Sequence, residues 1–243
     1  MAIVRYFAMT AAEISFNSVL PPGIAWMACH FSPYGDGLSN LPDSLPPDSL
    51  LILNDRTPIH GHDPRKIAWQ LSGALEESGC RGLLLDFQRP GEAETASLTR
   101  YLTQTLSCPV AVSDLYAREL DCPVFLPPVP AEIPAEAFLA PWQGRELWLE
   151  MALDAKEITL TPEGAGCIPL PPGSALPAGF QEEKLHCHYT VAVDEDKARF
   201  TLWRTEQDLE GLLEEAEALG VTTAVGLYQE FRAGLCPKAP DTV

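Results

Sequence analysis

Two leucine-rich runs with one capped helix between them most tightly limit what this chain folds into. "LLILND" (50–55) and "RGLLLDFQ" (81–88) show no polar–apolar alternation along their lengths. Such runs read as strands covered on both faces, the habit of a parallel sheet flanked by helices. The stretch between them, "HDPRKIAWQLSGALEESG", carries helix signals at both ends. Asp63 is placed to be the N-cap, with Pro64 at the first helical position and Gly79 as the stop. Ile67, Ala68, Leu71, Ala74 and Leu75 fall on one helical stripe. Strand, helix and strand in that order make a βαβ unit.

The rest of the chain repeats this alternation less regularly. "GIAWMACHF" (23–31) reads as an earlier strand, followed by the polar loop "SPYGDGLSNLPDSLPPDS". A helix is predicted at about 92–107, and strands within 108–117, 122–130, 145–152 and 156–164. A Pro/Gly-rich loop is expected at about 162–185. "CHYTVAVDEDKARFTLWR" (187–204) alternates and turns at Asp194–Lys197, as a hairpin does. Thr205, with Asp208 three residues on, caps a helix whose stripe is Leu209, Leu212, Leu213, Ala216 and Leu219. "TTAVGLYQEF" (222–231) is a last strand. The expected fold is α/β, an irregular or incomplete TIM-type (β/α) barrel forming a single domain over 1–243. Too few helices fall between 108 and 165 for a regular eightfold repeat.

In such a barrel the strands' carboxyl ends converge on one mouth. Asp86 and Gln88 stand two residues apart at the end of their strand, so the pleat points both the same way, while Leu85 and Phe87 face the helices. Asp55, Asp114, Tyr116, Glu150 and Glu230 also fall at strand ends. Asp86, Asp114 and Glu150 are the candidate catalytic carboxylates, and solvated loop acids are the plain alternative. Trp26, Trp142, Trp148, Trp203 and Tyr34 are candidate sugar platforms, with one or two expected at the cleft.

Charge and composition narrow the partners. Acids outnumber bases 34 to 16, for a formal charge of −18, which argues against nucleic acid and against anionic membrane surfaces. No apolar run reaches membrane-spanning length, and the N-terminus lacks a signal-peptide pattern. The cysteines are scattered without a CxxC pair, as expected of reduced thiols in a cytoplasmic protein. No P-loop, dinucleotide fingerprint or nucleophile elbow occurs, so no cofactor is expected. Asp55, His60, His62 and Asp63 share a loop, and His186 and His188 flank Cys187. Capping and ordinary surface roles account for these residues more simply than a metal does.

"RGLLLDFQ" resembles the fourth-strand motif D-G-x-D-x-D-x-E of family 18 glycoside hydrolases, the chitinases and endo-N-acetylglucosaminidases. Gly82 matches the glycine, Asp86 the last aspartate and Phe87 the aromatic residue before the catalytic acid. Arg81 stands for the first aspartate, Leu84 for the middle one and Gln88 for the catalytic glutamate. "LPDSLPPDSLLILND" is similar to the family's approach to its second strand. "AVGLYQEF" is similar to its closing strand, with Tyr228 at the sugar-stacking tryptophan's place. On this likeness a βα unit is missing between "LLILND" and "LLLDFQ".

The resemblance implies a barrel that has lost the family's proton donor. An amide has no transferable proton near neutral pH, and general acid catalysis contributes roughly 10²–10⁴-fold. The resulting expectation is a non-catalytic, glycoside-hydrolase-like protein. It binds a carbohydrate or other small polar ligand at the mouth through Asp55, Asp86, Gln88, Tyr116 and Tyr228. The alternatives are an enzyme using Asp86 with another strand-end carboxylate, and a protein-binding scaffold.

Overall fold

The structure is a computed structural model that describes residues 2–35, 37–59, 61–171 and 173–235. Among the described residues, those of 2–127, 144–150 and 221–235 make one compact unit, and those of 128–143 with 151–220 make another.

The first unit is a closed parallel barrel. Its strands are β1 (Val4–Met9), β2 (Ile24–Phe31), β4 (Leu50–Asn54), β5 (Gly82–Asp86), β6 (Val110–Ser113), β7 (Val124–Leu126), β8 (Leu147–Met151) and β14 (Val221–Leu227). They follow one another around the ring, β14 lies between β8 and β1, and β1 closes the circle by pairing parallel with β2. A two-residue strand, β3 (Leu38–Ser39), adds antiparallel to β2. The TIM-type α/β fold read from the sequence is therefore present, and its ring is complete. The missing βα unit is a correction: "LLILN" is the third strand of the ring and "GLLLD" the fourth. The strand left out of the sequence reading is β1, whose short run precedes a helix, α1 (Ala11–Phe16), too brief to show helical periodicity. The irregularity lies in the helices. α2 (Pro64–Ser78) and α3 (Ala93–Thr105) are full length, but α4 (Asp114–Ala117) is four residues, and α7 (Tyr228–Leu235) follows the last strand.

The caps fall where the residues require them. Asp63 accepts the Arg65 N–H at the start of α2, and Gly79 ends it at φ 72°, a left-handed conformation suited to glycine. Strand period two then sorts each ring strand. Tyr6, Ala8, Ala25, Leu50, Ile52, Leu84, Ala111, Phe125, Trp148 and Val225 form the interior, drawn from all eight strands. This is a packed core rather than a pore. Each such large apolar side chain is worth about 1.5–3 kcal/mol of burial.

The second unit is an antiparallel sheet with strands β9 (Ala155–Thr161), β10 (Gly164–Pro169), β11 (Phe180–Glu182), β12 (Cys187–Asp194) and β13 (Lys197–Trp203), ordered β10-β9-β13-β12-β11. β12 and β13 are the hairpin read from the sequence. The Pro/Gly-rich stretch is only partly a loop, because it supplies β10 and β11. Both are edge strands, where glycine and proline are tolerated. Ala131, Cys187 and Leu202 form a small core with Ile158, Leu185, Tyr189 and Phe200 around it. The unit also holds α5 (Ala135–Leu139) and α6 (Glu206–Ala218), whose Thr205–Asp208 capping box forms as expected. His188 Nδ1 lies 2.8 Å from Asp208 Oδ2, and His186 Nε2 lies 2.9 Å from Glu215 Oε2. The two histidines are thus paired with α6 carboxylates. The guanidinium of Arg204 donates to the carbonyls of Val129, Pro130, Leu185 and His186, and burial lowers its pKa.

Candidate ligand-binding site at the barrel mouth

The site is built by the last inward residue of five of the eight ring strands. Interior positions Ala25, Ile52, Leu84, Trp148 and Val225 are each followed, two residues on, by Met27, Asn54, Asp86, Glu150 and Leu227. The pleat returns these side chains to the same face, one layer nearer the carboxyl ends. All five line a cavity of about 390 Å³, together with Asp55, Arg56 and Gln88. Its floor is apolar, formed by Ala8, Ile52, Leu84, Phe125 and Val225.

Local geometry holds the acids in place. Asp55 is buried, 4% exposed, and its Oδ2 accepts the backbone N–H groups of Gln88 at 3.0 Å and Arg89 at 2.8 Å. That carboxylate fixes the backbone just beyond β5. Gln88 Nε2 donates to Asp86 Oδ1 at 2.5 Å. Asn54 donates to the carbonyls of Met27 and Cys29, bracing the irregularity in β2 that lies between Trp26 and Cys29. Bulges of this kind re-aim a side chain next to a site. Here the affected residue is Met27.

Two of the acids are electrostatically perturbed. Burial pushes the Glu150 carboxyl up to about 7, with the charges of Asp86 and Glu230 adding to the effect. Burial also raises Asp86, offset by the Gln88 hydrogen bond and reinforced by Asp55. A carboxyl titrating near neutrality inside a cleft marks a functional-site candidate.

The remaining sequence candidates fall elsewhere. Asp114 opens α4 and does not line the cavity. Tyr116 packs edge-on against Phe87, with ring centroids 6.4 Å apart, and its hydroxyl donates to the Arg89 carbonyl, so it supports the loop after β5 from outside the ring. Tyr228 is buried, 6% exposed, and donates to Asn17 Oδ1, because the chain turns into α7 at that residue. Leu227, not Tyr228, reaches the cavity, and strand parity from Val225 was the signal for it. Leu85 and Phe87 are fully buried, and Phe87 packs on Phe31 as well as Tyr116, as outward-facing residues should. None of the tryptophans lines the cavity: Trp148 fills the interior below it, and Trp26 is tied to the Asn40 carbonyl. Tyr34 is almost wholly exposed and is not in the lining. Met27, Arg56, Phe125 and Leu227 were not read from the sequence as site residues. His60 lies outside the described residues. Among the described residues no three His, Cys, Asp or Glu side chains come together as a metal site requires.

The fold has known counterparts. The chain is similar to the spore cortex-lytic enzyme SleL of Bacillus megaterium QM B1551, with TM-score 0.57 and 11% identity over 93% of this chain and 70% of that one. It is similar to SleL of Bacillus cereus, with TM-score 0.56 and 10% identity over 95% and 73% of the two chains. A chitinase from Chromobacterium violaceum ATCC 12472 aligns at TM-score 0.51 and 10% identity over 92% and 93%. No family model and no curated protein sequence matches the chain. At these identities the likeness is one of fold, a TIM-type α/β barrel.

Proposed function

We propose that the barrel mouth binds a saccharide and does not hydrolyse it by the acetamide-assisted route of family 18. The observation that carries this reading is Gln88. It occupies the place of the motif's proton donor, lines the cavity, and spends its amide on Asp86. Leu84, at the middle aspartate's place, is 1% exposed in the apolar interior, so no carboxylate lies beneath Asp86 to couple with it. The cavity can surround one or two sugar rings, which fits recognition of a short glycan. A charge of −18 speaks against polyanionic partners and leaves neutral or cationic ligands. We place the protein in the cytoplasm, on the scattered unpaired cysteines of its sequence.

A second reading has an observation of its own: Glu150 shares the cavity with Asp86 and titrates at about 7, where a carboxyl can donate a proton. The test is a paired assay of binding and turnover. Chitooligosaccharides titrated calorimetrically should bind, while a fluorogenic chitobioside should be released no faster than background. Turnover by the unmutated protein, lost in Glu150→Gln, would replace the binding reading with the catalytic one.

A further inference from the structure

We propose that β10 is a self-association edge, through which two copies of the chain pair antiparallel and join their five-stranded sheets. β10 is an outer strand of its sheet, and every residue of it is exposed. Such edges are normally blunted by charge, proline, a bulge or shortness. The opposite edge follows that habit, since β11 is three residues long and ends in Glu182. β10 does not, because its first five residues, Gly164 to Ile168, hold neither charge nor proline.

The register with β9 determines which backbone groups are free. Leu170 donates to the Ala155 carbonyl at 2.8 Å, in step with the pairing of Gly164 with Thr161, Gly166 with Thr159 and Ile168 with Glu157. Bonded pairs alternate in an antiparallel ladder, so Gly164, Gly166 and Ile168 spend their N–H and C=O groups on β9. Ala165 and Cys167 turn theirs outward, to the open edge. Pro169 shares that outward parity, so its missing N–H costs the sheet nothing. A second β10 matches this edge when Ala165 faces Cys167 of the second copy. Each pair then exchanges both of its free N–H and C=O groups, and the two-fold axis passes between the two Gly166 residues, which have no side chains to collide. Ile168, 64% exposed, falls opposite Gly164 of the second copy, which leaves it room. Pro169 falls opposite Glu163 of the second copy, in the turn before the strand, where no ladder bond is lost. With Cys167 opposite itself instead, Pro169 would face Ala165 and leave that carbonyl without a donor.

Charge selects a second copy as the occupant. Two chains of −18 repel, and they can meet closely only where neither brings an acid. Residues 164–180 carry no Asp, Glu, Lys, Arg or His. A basic peptide, the obvious match for so acidic a chain, would find no carboxylate within β10 to pair with. A strand pair of this length buries less than the roughly 1,200 Å² of a stable dimer, so the association is weak and concentration-dependent.

The experiment is sedimentation equilibrium of the full chain from about 10 µM to about 1 mM, with reductant and about 0.5 M salt to screen the repulsion. The weight-average mass should climb from that of a monomer towards that of a dimer. Cys167→Pro removes an outward N–H and no bond to β9, so it should raise the dissociation constant at least about ten-fold with native circular dichroism. Cys167→Ser keeps that N–H and should associate as the parent does. Ala165→Asp, at an exposed position, adds like charges on both sides of the axis and should keep the chain monomeric, which serves as the readout if the proline variant loses its fold. A parent that stays monomeric throughout would overturn the inference. So would a dimer that Cys167→Pro and Ala165→Asp leave intact, because its interface would lie elsewhere.

Discussion

The carboxylate of Asp55 holds the backbone N–H of Gln88 at 3.0 Å, across a sequence gap of 33 residues. The same oxygen takes the Arg89 N–H, so one side chain from the end of β4 determines where the chain goes after β5. Charge-assisted bonds of this kind are stronger than neutral ones, and removing the acceptor leaves two part-buried donors without it. Asp55→Ala should therefore cost about 3 kcal/mol of unfolding free energy. Asp55→Asn, which keeps an accepting oxygen, should cost clearly less. Urea midpoints measure both, and an alanine variant as stable as the parent would remove Asp55 from this role.

Gln88→Glu tests whether the mouth holds latent hydrolytic chemistry. The new carboxylate would face Asp86 without the amide proton that now bridges them. Like charges at that distance raise at least one pKa. Turnover of the chitobioside should nevertheless stay at background, because Leu84 is still apolar. Adding Leu84→Asp restores a second carboxylate but inserts it into the barrel interior, where Leu84 is 1% exposed. That burial should cost about 4 kcal/mol. The double variant is informative only once its cooperative unfolding is shown. Strong turnover by Gln88→Glu alone would refute this account of the motif.

Glu150 gives a pH signature. The folded protein keeps its proton up to about 7, whereas the exposed carboxyl gives it up at 4.5. Between those values the native state binds more protons than the unfolded chain, so stability falls as pH rises through that window and levels off above it. The loss is at most about 3 kcal/mol. Glu150→Gln should abolish it, leaving the variant more stable than the parent at about pH 8 and similar at about pH 4. Thermal melts across that range decide, and parallel pH curves for the two proteins would contradict it.

How far the sequence reached depends on which physical signal each element carries. The helix at 64–78 was legible to the residue, because Asp63, Pro64 and Gly79 punctuate it chemically. Strand parity from Leu84 led to Asp86, whereas Gln88 lies beyond the end of β5 and lines the same cavity without the pleat placing it. β1 was not, since six residues beside a six-residue helix carry no periodicity to count. That omission shifted the strand numbering by one and produced the apparent gap in the ring. Tyr228 and Tyr116 were misplaced because their strands end earlier than the apolar pattern suggests: each lies in a helix that follows directly. The second unit was hidden for a different reason. Its core joins Ala131 to residues from 158 to 202, a long-range pairing that no local pattern marks.

The seam that closes the barrel depends on a glycine, and a second glycine supplies the control. Gly23 precedes β2, and its carbonyl accepts the Phe7 N–H at 3.0 Å where β1 and β2 meet. A Cβ there would lie 2.1 Å from the Arg5 carbonyl oxygen and 3.4 Å from the Tyr6 Cα. Both neighbours are backbone of a paired strand, so neither can turn aside as a side chain would. Gly23→Ala must therefore open the β1–β2 seam or strain it, at about 3 kcal/mol, the upper end of what overpacking usually costs. Gly73 lies within α2 with nothing within 4 Å of the added methyl. Gly73→Ala should stabilise by about 0.5–1 kcal/mol, through helix propensity alone. Melting both variants beside the parent gives opposite signs if the closed ring is the folded state. A harmless Gly23→Ala would mean that β1 and β2 do not meet as described.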